Sequence, residues 1–364
     1  MAKRIQLVII FSLFTFLLVA CGGGEESASV DRDATGSDAN TEEAENSNGN
    51  QEDEYADLIA KFDQIGDVPV PEDNPMTEEK VELGKILYFD PKLSGDNDRS
   101  CATCHLPALG WSDGLPLFNA IGDEEGARHS PSIINSGYYT SNFWDGRAES
   151  LEEQAKGPIS SPVEMNQNLD ELVDELKAVE GYPEMFEEAF GEEITVDNIA
   201  KAIAAFERTI VINDTRFNQF LDGDYDALTE QEIQGMELFA GKAQCITCHS
   251  GPNFSDNEFH NIGIEGDDKG RMDVTGDEAD DGAFKTPTLY GIGHHPPYMH
   301  DGSLETLEEV IDYYDRGGDN HPNKSPLIQE LNLTDEEKEA VLAFLNVLTG
   351  ENPEVEVPEN IPGE

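Results

Sequence analysis

The chain carries two copies of the pattern Cys-x-x-Cys-His, at Cys101–His105 and Cys245–His249, and this feature restricts its fold most. Two thiols at this spacing can bond the two vinyl groups of one porphyrin, and the adjacent imidazole then becomes an iron ligand. The pattern therefore predicts two covalently bound haem c groups with His105 and His249 as proximal ligands. The attachment residues are Cys101, Cys104, Cys245 and Cys248.

Zinc is the main competing interpretation of paired cysteines. A zinc ribbon spaces its Cys-x-x-Cys units by about 15–20 residues. Here Cys101 and Cys245 are 144 positions apart. A thioredoxin-like motif would not need a histidine after both pairs. Haem attachment is therefore favoured at both sites.

The regions before the two motifs are similar to each other. Segments Thr77–Phe89 and Thr229–Phe239 each begin with a threonine suited to an N-cap, followed by acidic residues. Each then places a glycine, Gly84 or Gly235, three residues before a leucine and an aromatic residue. We expect two small helical cytochrome units in which this glycine permits close crossing by another helix.

Other segments also favour helices, and alternating strand patterns are scarce. A stripe of apolar residues at helical spacing predicts a core helix, and a capping box predicts the start of the last helix. The sequence thus predicts an all-α protein with two c-type cytochrome domains, residues 58–215 and 216–350, and an acidic tail, residues 351–364. The stripe is Ile199, Ile203, Phe206 and Ile210, and the box is Thr334 and Glu337.

The N-terminus is typical of an export signal. Lys3 and Arg4 precede an apolar run that ends at Ala20, directly before Cys21. We expect residues 1–20 to be a lipoprotein signal peptide and Cys21 to be lipidated; the alternative is an ordinary secretory signal with an incidental cysteine. Residues 21–57 are acidic and polar and predict a disordered tether. The expected location is periplasmic or cell-surface, anchored to the membrane only through lipid.

The charge of the chain excludes some partners. There are 77 acidic and 22 basic side chains among 364 residues, for a formal charge of −55. Nucleic acid is excluded, because phosphate binding depends on Lys and Arg. A basic redox partner would be attracted at low salt. The acidity also suits a salty habitat, and the sequence leaves both explanations open.

Over about residues 75–350 the chain closely resembles the bacterial dihaem cytochrome c peroxidase and MauG family. The resemblance rests on both haem motifs and on several ordered segments. These include Phe143–Arg147, Gln154–Pro158, Phe284–Leu289 and Tyr298–Ser303.

The resemblance implies that the N-terminal haem is peroxidatic, with Glu164 and Gln154 on its distal face and Trp144 as an electron relay between the haems. A carboxylate there can move a proton between the two oxygens of H2O2, and an amide can orient the peroxide. Without the resemblance, Glu164 would be one acid among 77, Gln154 a surface amide and Trp144 a packing residue.

The chain departs from the family in the loop after Gly122. Members that need reductive activation carry a blocking histidine there, whereas this chain has Asp123. We therefore expect an open, high-spin N-terminal haem, with His129 as an alternative ligand. His129 also replaces the Asn that supplies a calcium ligand in the family, alongside the carbonyls of His295 and Pro297. Imidazole is a poor calcium ligand, which puts calcium in doubt, although acids elsewhere could compensate.

The second ligand of the C-terminal haem is Met in the peroxidases and Tyr in MauG-like enzymes. Tyr314 lies fourteen residues after His300, and no Met follows Met299. Tyr314 is therefore the predicted ligand, with Met299, Tyr313 or an open site as alternatives. Phenolate ligation stabilises ferric iron and lowers its potential.

The sequence therefore predicts a dihaem peroxidase that reduces H2O2 to water. Its electrons would come from an external donor such as a small cytochrome c or a cupredoxin. One alternative is a MauG-like oxidase acting on a protein or small molecule. A second is a dihaem electron carrier without turnover.

Overall fold

The computed structural model describes residues 53–122 and 124–363. The predicted signal peptide, Cys21, most of the tether and Asp123 lie outside the described residues. Within the described part, no helix is long and apolar enough to cross a membrane. The described secondary structure is helical apart from one short antiparallel strand pair, so the predicted all-α class is confirmed.

The helices and strands follow in chain order. They are α1 (53–59), α2 (Glu78–Phe89), α3 (Cys101–Cys104), α4 (Leu151–Ser160), α5 (Leu169–Ala178), α6 (Tyr182–Phe190), α7 (Val196–Glu207), α8 (Arg216–Leu221), α9 (Glu230–Phe239), β1 (Phe259–His260), α10 (Met272–Thr275), β2 (Phe284–Lys285), α11 (Leu307–Asp315) and α12 (Asp335–Thr349).

The glycine of each repeat lies where two helices cross, as predicted. In the N-terminal half, α2 packs on α7, and a Cβ added to Gly84 would lie 1.9 Å from the carbonyl oxygen of Ala202. In the C-terminal half, α9 packs on α12, and a Cβ on Gly235 would lie 2.0 Å from the oxygen of Ala340. A side chain at either position would separate the two helices.

The predicted helix signals are confirmed. Thr77, Thr229 and Thr334 each cap a helix by accepting a backbone N–H, and the apolar stripe on and just after α7 is buried. Pro158, however, does not interrupt its helix, because α4 continues through it to Ser160.

The N-terminal part of the described chain packs on the C-terminal half. The rings of Tyr55 and Phe220 are 5.3 Å apart, and those of Phe62 and Phe217 are 5.5 Å apart. Residues 53–57 are helical, so the predicted tether is wrong for its last five residues. The aromatic residues of this segment are half-buried there because α8 offers an apolar surface.

The acidic tail packs on the N-terminal half instead of extending freely. The indole of Trp111 donates to the carbonyl oxygen of Pro353 at 3.2 Å, and Asn352 donates to Pro107 at 2.7 Å. Ile361 packs against the apolar core of the N-terminal half. Residues 53–363 belong to one compact unit, and the domain boundary at 215/216 stays a prediction.

Candidate functional site

One cavity of about 850 Å³ is lined by residues of both halves, including His105 and His249. The Nδ1 atom of His105 lies 3.3 Å from the carbonyl oxygen of Trp111, and that of His249 lies 3.0 Å from the oxygen of Phe254. These contacts orient the rings and leave Nε2 of each as the nitrogen for a metal. Burial lowers the pKa of both imidazoles, which favours the neutral form that binds iron.

The four cysteines of the two motifs are unpaired in the described structure. Cys101 and Cys104 lie on α3, and Cys245 begins a short 3-10 helix. Burial raises the pKa of Cys104 to about 11 and that of Cys245 to about 12. Uncharged sulfur is favoured at these places, which fits thioether attachment of haem.

Lys285 also fits a cofactor that carries carboxylates. Its side chain is buried on the cavity wall, and its Nζ lies 3.0 Å from the ring centroid of Tyr139. Within the described residues no carboxylate pairs with it. Burial lowers the pKa of Lys285 to about 7. A haem propionate would supply the missing counter-charge.

Gln154 and Glu164 line the same cavity. Gln154 lies on α4, and Glu164 lies in the turn that follows, where its N–H donates to Ser161 at 3.1 Å. Among the described residues neither side chain has a hydrogen-bond partner. Glu164 is close enough to Cys104 to raise the pKa of that thiol, after burial and Asp113. Both groups are therefore available to a small ligand beside the first attachment motif.

Trp144 is held by hydrogen bonds to both halves. Its indole Nε1 donates to the carbonyl oxygen of His129 at 2.9 Å, and its own carbonyl accepts from the N–H of Lys285 at 2.8 Å. It also lines the cavity. The predicted relay residue thus lies where the two halves meet.

The two adjacent tyrosines of α11 have different surroundings. Tyr314 lines the cavity, and burial, followed by Cys245 and Cys248, raises the pKa of its phenol. Tyr313 instead donates to the carbonyl oxygen of Ile262 at 3.1 Å. Met299 also lines the cavity. Ligation by Tyr314 stays a prediction, and it is the better placed of the two tyrosines.

His129 is engaged by protein groups. Its Nδ1 lies 2.7 Å from the oxygen of Leu115, and its Nε2 lies 3.4 Å from Oγ of Ser112. These contacts disfavour the alternative that His129 binds the N-terminal haem. His295 and Pro297, the predicted sources of calcium-binding carbonyls, line the cavity, and calcium binding stays a prediction.

The structure contains an ion-pair network beside Trp144 that the sequence did not predict. Arg128 binds Asp268 with two hydrogen bonds, of 2.6 and 2.8 Å, and Asp145 with one of 2.7 Å. Arg271 adds bonds to the carbonyl oxygens of Asp145 and Gly146. No local pattern indicates a pair 140 residues apart, so the network could not be found without the fold.

The fold and the cavity define a c-type cytochrome with attachment sites for two haems. Residues 78–226 match the family model described as di-haem cytochrome c peroxidase, and residues 232–349 match the model described as cytochrome c. Both predicted cytochrome domains are thereby confirmed.

Individual proteins agree with the family models. The chain is 40% identical to methylamine utilization protein MauG of Methylorubrum extorquens over 95% of this chain and 97% of that protein. It is 37% identical to cytochrome-c peroxidase IdrP1 of Pseudomonas sp. (strain SCT), over 85% and 91%. A crystal structure of a MauG-like protein associated with microbial copper homeostasis superposes with a TM-score of 0.74 at 36% identity, covering 79% of this chain and 94% of that one.

The chain belongs to the dihaem cytochrome c peroxidase and MauG family. It is an oxidoreductase of this family, and family membership implies two c-type haems.

Proposed function

We propose that the protein is a peroxidase that reduces H2O2 to water, with electrons from a small cytochrome c or a copper protein. The observation that carries this proposal is the pair of unbonded side chains, Gln154 and Glu164, in the cavity beside Cys104. An electron carrier has no use for an acid–base group at this place.

A haem attached through Cys101 and Cys104 and held by His105 would supply the iron at which peroxide reacts. The carboxylate of Glu164 takes a proton from one oxygen of H2O2 and returns it to the departing oxygen, so the O–O bond breaks and water leaves. The amide of Gln154 orients the peroxide by a hydrogen bond. Two electrons from the donor and two protons from solvent complete the reduction of one H2O2 to two waters.

Electrons must cross from one half of the molecule to the other. Trp144 supports this step, because its indole lines the cavity and its backbone is bonded to the C-terminal half through Lys285. A Tyr314 phenolate on the C-terminal haem would lower the potential of that haem. The donor must then be a stronger reductant than one that serves a Met-ligated haem.

A MauG-like oxidase is the second candidate. It is favoured by the position of Tyr314 on the cavity wall, near Cys245 and Cys248. In that case the oxidising equivalents would be delivered to a protein or small-molecule substrate. The carrier alternative would require both haems to be low-spin and inert toward H2O2.

Stopped-flow mixing of the dihaem protein with H2O2 tests the proposal. Glu164→Gln should slow the reaction by about 10²–10⁴-fold, the usual contribution of a positioned acid–base group, while both haems stay attached. Glu184→Gln is the matched control, because Glu184 is an exposed acid on α6. Steady turnover with a reduced basic cytochrome separates the peroxidase from the oxidase. Equal rates for Glu164→Gln and the wild type would refute the assigned role.

We also propose export as a lipoprotein anchored through Cys21, in the periplasm or at the cell surface. The support is the basic and apolar segment directly before this cysteine. Metabolic labelling with a radioactive fatty acid should mark the wild type and not Cys21→Ser. Label that persists in Cys21→Ser would contradict the proposal.

A further inference from the structure

Two loops of the protein have the same backbone pattern and share the pair Asp-Gly at the same position. Residues 142–148 read Asn-Phe-Trp-Asp-Gly-Arg-Ala, and residues 298–304 read Tyr-Met-His-Asp-Gly-Ser-Leu. In each loop an antiparallel backbone bridge joins the first residue to the last. Trp144 and His300 occupy the same position in the two loops.

The backbones of the two loops agree in detail. The second residue has a positive φ in both, 68° at Phe143 and 73° at Met299. The aspartate accepts a hydrogen bond from the N–H two residues later in both, at 3.2 Å for Asp145 and 3.1 Å for Asp301. The likeness of Trp144 and His300 is therefore one of structure as well as sequence.

Each loop is bonded by the opposite half of the molecule in the same way. The N–H of Lys285 donates to the carbonyl oxygen of Trp144 at 2.8 Å, and the N–H of His129 donates to the carbonyl oxygen of His300 at 2.7 Å. Both donors stand two residues before a proline. The contact between the halves thus has an approximate twofold relationship, with Trp144 and His300 as counterparts.

The two side chains differ in their polar contacts. The indole N–H of Trp144 is bonded to His129, whereas neither ring nitrogen of His300 has a hydrogen-bond partner among the described residues. The imidazole stacks on Phe284 with centroids 3.6 Å apart and planes at 16°. His300 is 8% exposed and lines the cavity.

Because His300 lines the cavity and its ring has no polar protein partner, a cavity occupant is its expected hydrogen-bond partner. The imidazole ring of His300 offers at least one N–H donor in either protonation state. The charged neighbours are Arg128, Asp268 and Asp301. Arg128 is already bonded to two aspartates, so its positive charge is balanced within the protein.

We propose that His300 is a positioning residue of the contact between the haems, donating a hydrogen bond to a haem propionate so that this haem and Trp144 stay in electronic contact. The inference rests on the proposed function, because it requires two haems that exchange electrons. It deepens that function by adding His300 to Trp144 as the second residue that supports electron exchange between the haems.

The test uses the purified dihaem protein and two variants. His300→Phe keeps a ring that can stack on Phe284 and removes both nitrogens, while His300→Gln keeps an N–H donor. Potentiometry should show a lower midpoint potential for one haem in His300→Phe. The propionate loses its hydrogen-bond donor, so its negative charge favours the ferric state more strongly. Pulse reduction of one haem should show electron exchange about tenfold slower. His300→Gln should recover most of both values.

His294→Phe is the control, since the Nε2 of His294 lies 3.2 Å from the oxygen of Gly350. It should leave both readouts unchanged. If His300→Phe matches the wild type in potential and exchange rate, His300 only packs and the inference is overturned. An equal change in His300→Gln and His300→Phe overturns it as well. One outcome would separate the two proposals. If the protein consumes no H2O2 but His300→Phe still slows electron exchange between the haems, the peroxidase proposal is refuted and this inference is supported.

Discussion

The indole N–H of Trp144 donates to the carbonyl oxygen of His129 across 2.9 Å, which fixes the ring where the two halves of the molecule meet. The same residue accepts a backbone hydrogen bond from Lys285 of the other half. A residue held at both ends cannot rotate freely. Trp144 is thus a rigid group at the contact between the two halves.

Trp144→Phe should separate peroxide chemistry from electron supply. Phenylalanine keeps a ring of smaller size, loses the bond to His129 and is harder to oxidise. We expect the first reaction with H2O2 to change by less than about threefold and turnover with a reduced donor to fall at least tenfold. Stopped-flow and steady-state assays measure the two quantities. Equal losses in both would point to a general defect of the cavity.

Tyr314→Phe should change the C-terminal haem. The variant removes the proposed phenolate ligand, and a phenolate stabilises ferric iron, so the midpoint potential of this haem should rise. Low-temperature EPR of the ferric protein should lose the signal of the Tyr-ligated haem. Tyr313→Phe is the control: its phenol is bonded to Ile262, so it should lower stability and leave the EPR spectrum unchanged. An EPR change in Tyr313→Phe alone would reassign the ligand.

Gly84→Ala and Gly235→Ala should destabilise the helix crossings. Each added Cβ would lie about 2 Å from a backbone oxygen of the crossing helix, so the helices must separate. We expect each to lower the free energy of unfolding by at least about 1–3 kcal/mol, the usual cost of overpacking. Gly66→Ala is the control, because a Cβ there meets nothing within 4 Å. Denaturant titration of the three variants measures the difference.

Glu207 should make stability depend on pH. It is buried on the cavity wall, and its Oε2 has no partner in the described structure. Burial raises its pKa to about 8, Arg208 opposes the rise, and Glu152 adds to it. The folded state therefore binds the proton more tightly, and stability is lost as pH rises from the unfolded value of about 4.3 to about 8.

Glu207→Gln should remove this loss. Relative to the wild type, the variant should gain stability between pH 5 and pH 8, by at least about 1 kcal/mol, given about 1.4 kcal/mol per pKa unit. Urea titration at the two pH values measures the change. Exposed Glu188→Gln on α6 serves as the control. A constant difference between Glu207→Gln and wild type at both pH values would contradict the assigned pKa.

Much of the site could be predicted because its signals are local. The two Cys-x-x-Cys-His motifs predict haem attachment from five adjacent residues each, and the glycines Gly84 and Gly235 predict the helix crossings from one turn. The family resemblance supplied Glu164, Gln154 and Trp144, which all line one cavity. The match of two repeats could also have suggested His300, since Asp-Gly follows both it and Trp144.

Other features depended on contacts between distant residues. Trp111 and Pro353 are 242 positions apart, and Arg128 and Asp268 are 140 apart. The packing of the acidic tail on the N-terminal half could not be predicted from composition or periodicity, because the tail has little apolar surface of its own.

The sequence by itself therefore determined the all-α cytochrome class, the predicted haem-attachment motifs and the helices. These follow from the spacing of nearby residues along the chain and from helical periodicity. Only the tertiary structure decided which side chains share the cavity and which remain unbonded within it. Those properties arise from burial, and burial is a result of how the two halves pack together.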